Sequence, residues 1–165
     1  MLDDLLAPDL AVVFCGSAAG TRSAKLGQYY AGRGNKFWRI LAETGLTPRR
    51  FDPSEYRLLL SHGIGLTDLV KQQSGGDDEI DFRRAGAREL GEKIERLRPR
   101  LLCFNGKRAA QVYLRRKAVD PGLQPERIGG TRIFAAPSTS GAANASWDPA
   151  LWHELAKRVR TAGPS

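Results

Sequence analysis

Four short apolar runs set the terms on which this chain can fold. Ala11-Val-Val-Phe-Cys-Gly16, Gly65-Leu-Thr-Asp-Leu-Val70, Leu101-Leu-Cys-Phe-Asn-Gly106 and Thr131-Arg-Ile-Phe-Ala-Ala136 are each too short for a lone helix. Near-continuous apolarity, rather than strict alternation, is what strands buried on both faces carry. Between these runs the spacing turns helical. Asn35 to Ala42 offers Phe37, Trp38, Ile40 and Leu41 as apolar positions. Asp52-Pro53-Ser54-Glu55 reads as a helix start, with Asp as N-cap, Pro first and Glu third; Tyr56, Leu59 and Leu60 share one side before a stop near Gly63. Phe82, Ala85, Leu90, Ile94 and Leu97 predict an amphipathic helix over 81–97 that Pro99 ends. Residues 107–116 look helical, and a last helix starts at Asp148-Pro149 with Leu151, Leu155 and Val159 on one face. Residues 17–34, 71–78 and 117–130 read as glycine- or proline-bearing loops.

Strands alternating with helices imply an α/β fold: three layers, α/β/α, around a central, mainly parallel sheet of about four strands. With no repeat and no dividing linker, residues 1–165 are expected to form one domain. Ligands of such sheets bind beyond the carboxyl ends of the strands. The loops after Phe14, Val70, Phe104 and Ala136 are therefore the candidate site.

Charge narrows the partners. Twenty-six Lys and Arg against eighteen Asp and Glu give a net charge of +8. Such a surplus attracts polyanions, and arginine's planar fork suits phosphate. A proteome-wide arginine bias produces the same surplus, so charge alone does not name nucleic acid. Cys15 and Cys103 lie inside apolar runs and read as reduced core thiols. With His62 and His153 isolated, no metal-ligand spacing arises, and neither a metal nor another cofactor is expected. No apolar run reaches membrane-spanning length, and the acidic start Met1-Leu-Asp-Asp reads against a signal peptide; a cytoplasmic, monomeric protein is expected.

Gly16-Ser-Ala-Ala-Gly20, following a strand, has two readings. It is a nucleotide-phosphate turn, although it lacks the G-x-G-x-x-G and P-loop spacings, or a small-residue turn that lets a flat ligand approach the backbone. Further residues bear on the choice. Val12-Val-Phe-Cys-Gly16, Tyr30, Gly34-Asn-Lys-Phe-Trp38, Leu46-Thr-Pro, Gly63-Ile-Gly-Leu-Thr67, Phe104-Asn-Gly-Lys107 and Pro137-Ser-Thr-Ser-Gly141 occur in the order seen in one family. The chain resembles the mismatch-specific uracil/thymine-DNA glycosylases from about Leu5 to the final helix. The resemblance implies a mainly parallel α/β fold, a pocket for an extruded base and a loop that enters double-stranded DNA.

Two departures stand out. The best-known branch places a water-orienting Asn where this chain has Ala18, and a methyl group cannot hydrogen-bond water. The late motif becomes Ser138-Thr-Ser-Gly-Ala142, without the bulky wedge. Asp68 stands where that branch has a lysine, and a variant branch is understood to use an Asp here; a carboxylate can stabilise a cationic sugar and orient the water. An ordinary solvated or capping aspartate is the alternative.

The resemblance thus implies a base pocket behind Gly16, Ser17, Ala18, Ala19 and Gly20, with Tyr30 stacking on the base and Ser23 and Asn35 adding contacts or bracing the loop. Ser138, Thr139, Ser140, Gly141, Ala142, Ala143 and Asn144 would face DNA, with Arg22 and Lys107 on phosphates. Trp38, Trp147 and Trp152 sit at core spacings. Lys25 and Lys36 raise a Schiff-base lyase, which nothing in their surroundings supports. A lesion-DNA binder without catalysis and a nucleotide-binding α/β enzyme remain the competing readings.

Overall fold

The computed structural model describes residues 2–71, 74–75 and 86–161. Each apolar run becomes a strand: β1 (Val12–Gly16), β2 (Ile64–Asp68), β3 (Leu101–Asn105) and β5 (Thr131–Ala136). A further strand, β4 (Gly122–Ile128), completes a five-stranded sheet of order β2-β1-β3-β5-β4. All pairings are parallel except β4 with β5. Among the described residues, five α-helices surround it: α1 (Thr21–Leu26), α2 (Phe37–Glu43), α3 (Ala87–Leu97), α4 (Lys107–Leu114) and α5 (Pro149–Thr161). The result is the expected three-layer α/β/α arrangement.

The central strands explain the layering. Val12, Phe14, Leu101, Cys103 and Phe134 face one side, where they pack with Phe37, Trp38, Ile40 and Leu41 of α2 and Trp152 and Leu155 of α5. Val13, Cys15, Leu102, Phe104 and Ile133 face the other, against Leu90 and Ile94 of α3 and Ala109 and Ala110 of α4. Because successive side chains alternate, a strand covered on both sides needs apolar residues at every position. Both cysteines are free and buried. Trp38 and Trp152 are buried, the latter stacked 5.5 Å from Phe14, while Trp147 is half-buried at the core's edge.

Three segments differ from the sequence reading. The connection 117–130 contains β4, whose signal is weakened by Pro125 and by the register shift between Leu123 and Arg127; an edge strand tolerates both. The loop 17–34 contains α1, a short helix without an apolar stripe, stopped by Gly27 at φ 67°. The helix from Pro53 to His62 is 3-10 rather than α, though its start is as expected: Asp52 accepts from the Ser54 N–H and Glu55 reaches back to the Asp52 N–H. Of the predicted helix 81–97, Ala87–Leu97 is seen, and Phe82 and Ala85 lie outside the described residues.

The outer edge of β2 is covered. Leu5 forms an antiparallel bridge with Leu66, with both N–H···O bonds at 2.8–2.9 Å. Gly65 makes that approach possible. A Cβ there would meet Leu10 Cδ1 at 2.7 Å and the Leu5 carbonyl oxygen at 2.8 Å. Since one obstacle is backbone, Gly65→Ala is expected to destabilise the fold by roughly 1–3 kcal/mol. Urea unfolding should show a lower midpoint with an unchanged slope.

Candidate active site at the carboxyl end of the sheet

β1, β2, β3 and β5 end on one side of the sheet, and their loops enclose a cavity of about 770 Å³. The floor is set by strand register. Gly16 pairs with Asp68 across β1 and β2, so the glycine turn and the carboxylate emerge side by side. The turn is then tied to the segment after β2: Leu69 N–H bonds to Gly16 O, Val70 N–H to Ser17 O and Gly75 N–H to Ala19 O, at 2.8–2.9 Å. Gly16, Ser17, Ala18, Ala19 and Gly20 all line the cavity, together with Asp68, Tyr30, Ser23 and Asn35.

Asp68 is only 6% exposed. Burial pushes its carboxyl up to about 6, against an opposing pull from Lys71, whose Nζ lies 3.7 Å from Oδ2. Lys71 is shared. It also contacts Asp4 Oδ1 at 3.0 Å and donates to the Tyr29 hydroxyl at 3.3 Å. Asp4 in turn accepts from Lys93 Nζ and from the Thr67 hydroxyl, both at 2.6 Å. Burial would raise the Asp4 carboxyl, but the hydrogen bonds from Lys93, Thr67 and Lys71 hold it below the ordinary carboxylate range. One lysine therefore serves two carboxylates, and the better placed is Asp4. Asp68 keeps a partial counter-charge only.

Ser23 and Asn35 brace the walls. Ser23 Oγ accepts the Ala31 N–H at 2.9 Å, and Asn35 Oδ1 accepts the Phe37 N–H at 3.0 Å at the start of α2. Tyr30 packs its ring against Phe37, with centroids 4.1 Å apart, and is partly open to the cavity.

The late loop divides by task. Thr139 is 1% exposed: its N–H donates to Asn105 Oδ1, its Oγ1 accepts from Asn105 Nδ2 and its carbonyl accepts the Lys36 N–H. These bonds brace the loop from inside, and Thr139 still forms part of the cavity lining. Asn144, exposed and outside the cavity lining, accepts from Lys36 Nζ at 2.5 Å and anchors the loop. Ser138, Ser140, Gly141, Ala142 and Ala143 line the cavity with Thr139. Gly141 sits 3.5–3.6 Å from the Arg33 and Gly34 backbone by the position its Cβ would take, which pins the two loops together.

Lys36 is the clasp. It reaches the Thr139 and Ser140 carbonyls and lies 5.0 Å from the Trp147 ring. Arg22 and Lys107 are exposed at the rim, as are Arg33 and Arg108, which sequence reasoning missed. Arginines in a loop and at a helix start carry no pattern of their own; only the folded rim groups them. Among the described residues, no cluster of three His, Cys, Asp or Glu is placed to hold a metal ion.

A family model of the uracil DNA glycosylase superfamily matches residues 4–156. The chain belongs to that superfamily. Its fold is similar to the solution structure of a Methanosarcina acetivorans protein described as a "putative Uracil DNA glycosylase", with TM-score 0.65, 22% identity and 96% of each chain covered. Membership supports a glycosylase-type function with DNA as partner. For a superfamily member of this build, the buried carboxyl at the cavity floor is the group whose chemistry most needs explaining.

Its energetic signature is measurable. The folded Asp68 value, about 6, lies above the ordinary 3.8. The stability it contributes is therefore complete below about pH 4 and lost as pH rises through about 6. Asp68→Asn cannot ionise, so at pH 7.5 it should exceed wild type on the order of 2 kcal/mol. Urea unfolding at several pH values should show the gap shrink toward pH 4.5. A variant less stable at every pH would mean that the Lys71 contact outweighs burial.

Proposed function

We propose that this protein is a monofunctional uracil-DNA glycosylase of the mismatch-specific type. It everts uracil, or a related damaged or mispaired pyrimidine, from duplex DNA and hydrolyses the N-glycosidic bond to leave an abasic site. The observation that carries the reading is the buried Asp68 carboxyl, in register with Gly16 at the floor of a cavity rimmed by Arg22, Arg33, Lys107 and Arg108.

The rim cations neutralise phosphates and draw DNA to the cavity mouth. Eversion costs a few kcal/mol and least at a mispair, which favours damaged over intact sites. In the cavity, the base lies against the Gly16–Gly20 turn and the Tyr30 ring, and turn N–H groups meet its carbonyl oxygens. As the bond to the sugar breaks, the base departs as an anion and positive charge grows on the sugar. The ionised Asp68 stabilises that charge and takes a proton from the attacking water. Burial makes this base stronger than an ordinary carboxylate, and Lys71 keeps it ionisable near neutrality. Lys36 is engaged with loop carbonyls and Asn144, and Lys25 is exposed, which accords with hydrolysis rather than a Schiff-base lyase.

Ala18 favours one second reading, a lesion-DNA binder without catalysis, because its methyl group replaces the water-holding amide of the better-known branch. A labelled duplex with one G·U pair separates the two. Incubation followed by alkali gives strand breaks if the base is released, and only a gel shift if it is bound. Wild type should give breaks, and Asp68→Ala or Asp68→Asn should lower the single-turnover rate at least a hundredfold, with binding kept. The wild-type rate should rise with pH through about 6, as Asp68 ionises, and then level off. Full activity in Asp68→Ala would remove the assignment.

A further inference from the structure

Tyr30 holds an atom that the proposed chemistry has not used. Its hydroxyl oxygen is buried and has no hydrogen-bond partner. Buried hydroxyls are seldom left so, because such a group forfeits its bonds to water without replacement. Asn105 approaches the hydroxyl without meeting hydrogen-bond geometry, and Thr139 already engages its Oδ1 and one Nδ2 hydrogen. Burial, and then the charge of Asp68, raise the Tyr30 phenol well above its usual value. It stays a neutral O–H at any working pH, with a proton to donate.

The place that hydroxyl reaches is defined by Gly16. A Cβ built on Gly16 would lie 3.1 Å from Asp68 Oδ1 and 3.4 Å from the Tyr30 hydroxyl oxygen. One position above the glycine Cα is thus within about hydrogen-bond distance of both groups. The backbone maintains this aim. Tyr30 sits at φ 52°, a region that bulky residues rarely adopt. Its neighbours hold it there: Tyr29 donates its hydroxyl to Asp3 O and accepts Trp38 Nε1 at its carbonyl, and Ala31 N–H bonds Ser23 Oγ. Strain kept at a cavity wall is a common mark of a functional constraint.

We propose that Tyr30 is a positioning residue for the attacking water, its hydroxyl and Asp68 Oδ1 holding that water together over the bare Cα of Gly16. The inference rests on the glycosylase reading and deepens it. It divides Tyr30 into two parts, a ring that bears on the base and a hydroxyl that orients the nucleophile. It also gives the absence of a side chain at Gly16 a purpose: a methyl group there would take the position the water needs.

Single-turnover excision of uracil from a G·U duplex tests this with wild type, Asp68→Asn, Tyr30→Phe, Gly16→Ala and the Tyr30→Phe/Gly16→Ala double variant. Tyr30→Phe keeps the ring, so the rate at saturating enzyme should fall roughly tenfold with half-saturation unchanged, as for loss of one oriented hydrogen bond. Its thermal midpoint should equal or exceed that of wild type, since only an unpartnered hydroxyl is removed. Gly16→Ala should lose at least as much rate, and adding Tyr30→Phe to it should lose nothing more, because both changes abolish the same water. A wild-type rate in Tyr30→Phe, a change in half-saturation alone, or a further tenfold loss in the double variant overturns the proposal. If wild type releases no uracil, both readings fall. If wild type is active, Asp68→Asn is inactive and Tyr30→Phe matches wild type, only this one does.

Discussion

The seam between β1 and β2 governs the rest of this molecule. Parallel register sets Gly16 opposite Asp68, and three hydrogen bonds continue the pairing into the loops beyond. That continuation fixes the turn against the carboxylate without any side chain from the turn itself. It also explains why the seam must be dry on its far side. β2 would be an edge strand, and Leu5 with its neighbours closes it, while Asp68, 6% exposed, lines the cavity. The same N-terminal segment carries Asp4, which competes with Asp68 for Lys71. The segment that seals the sheet therefore also tunes the charge at its end.

A second constraint joins the early and late halves of the chain. Lys36 precedes α2, more than a hundred residues from the loop it holds, and its polar contacts there are carbonyl and amide oxygens. A cation bonded to neutral oxygens keeps much of its field, and it lies under the loop on the cavity's rim. The Gly34–Gly141 approach supports the same junction with backbone alone. Together these contacts replace the freedom of a small-residue loop with a fixed shape. Residues 138–143 line the cavity, and the bonds of Thr139 to Asn105 and of Asn144 to Lys36 hold them there.

How much of this was legible beforehand depends on what kind of signal each part carries. β1, β3 and β5 were readable because double-sided burial forces unbroken apolarity; Asp68 stood out only through the family resemblance, with the strand-end rule putting its loop beside the glycine turn. β4 was not, since an antiparallel edge strand with Pro125 and alternating exposure looks like a connection. α1 was lost because six residues held by loop contacts need no apolar stripe. The inward bonds of Thr139 were hidden because a Ser/Thr-rich loop gives the same composition whether its hydroxyls face solvent or an inward partner. Only the position of Asn105 decides. The Lys71–Asp4–Lys93 cluster was invisible for a different reason: three residues far apart in sequence meet through topology, and no spacing rule anticipates that.

Under the proposed function the water-holding group stands at position 68 rather than 18, and that changes more than geometry. An amide is neutral at every pH and needs no counter-charge, so it leaves its surroundings free. A carboxylate must be ionised to act as a base, and in a dry pocket ionisation is unfavourable unless a cation stands near. Too close a cation would make the carboxylate a poor base; none at all would leave it protonated. Lys71 at 3.7 Å, with its stronger contact given to Asp4 at 3.0 Å, lies between these limits. A carboxylate at this position therefore cannot be transplanted alone. It needs a cation at a suitable distance, which the divided lysine supplies, and open space beside it, which the bare glycine opposite leaves.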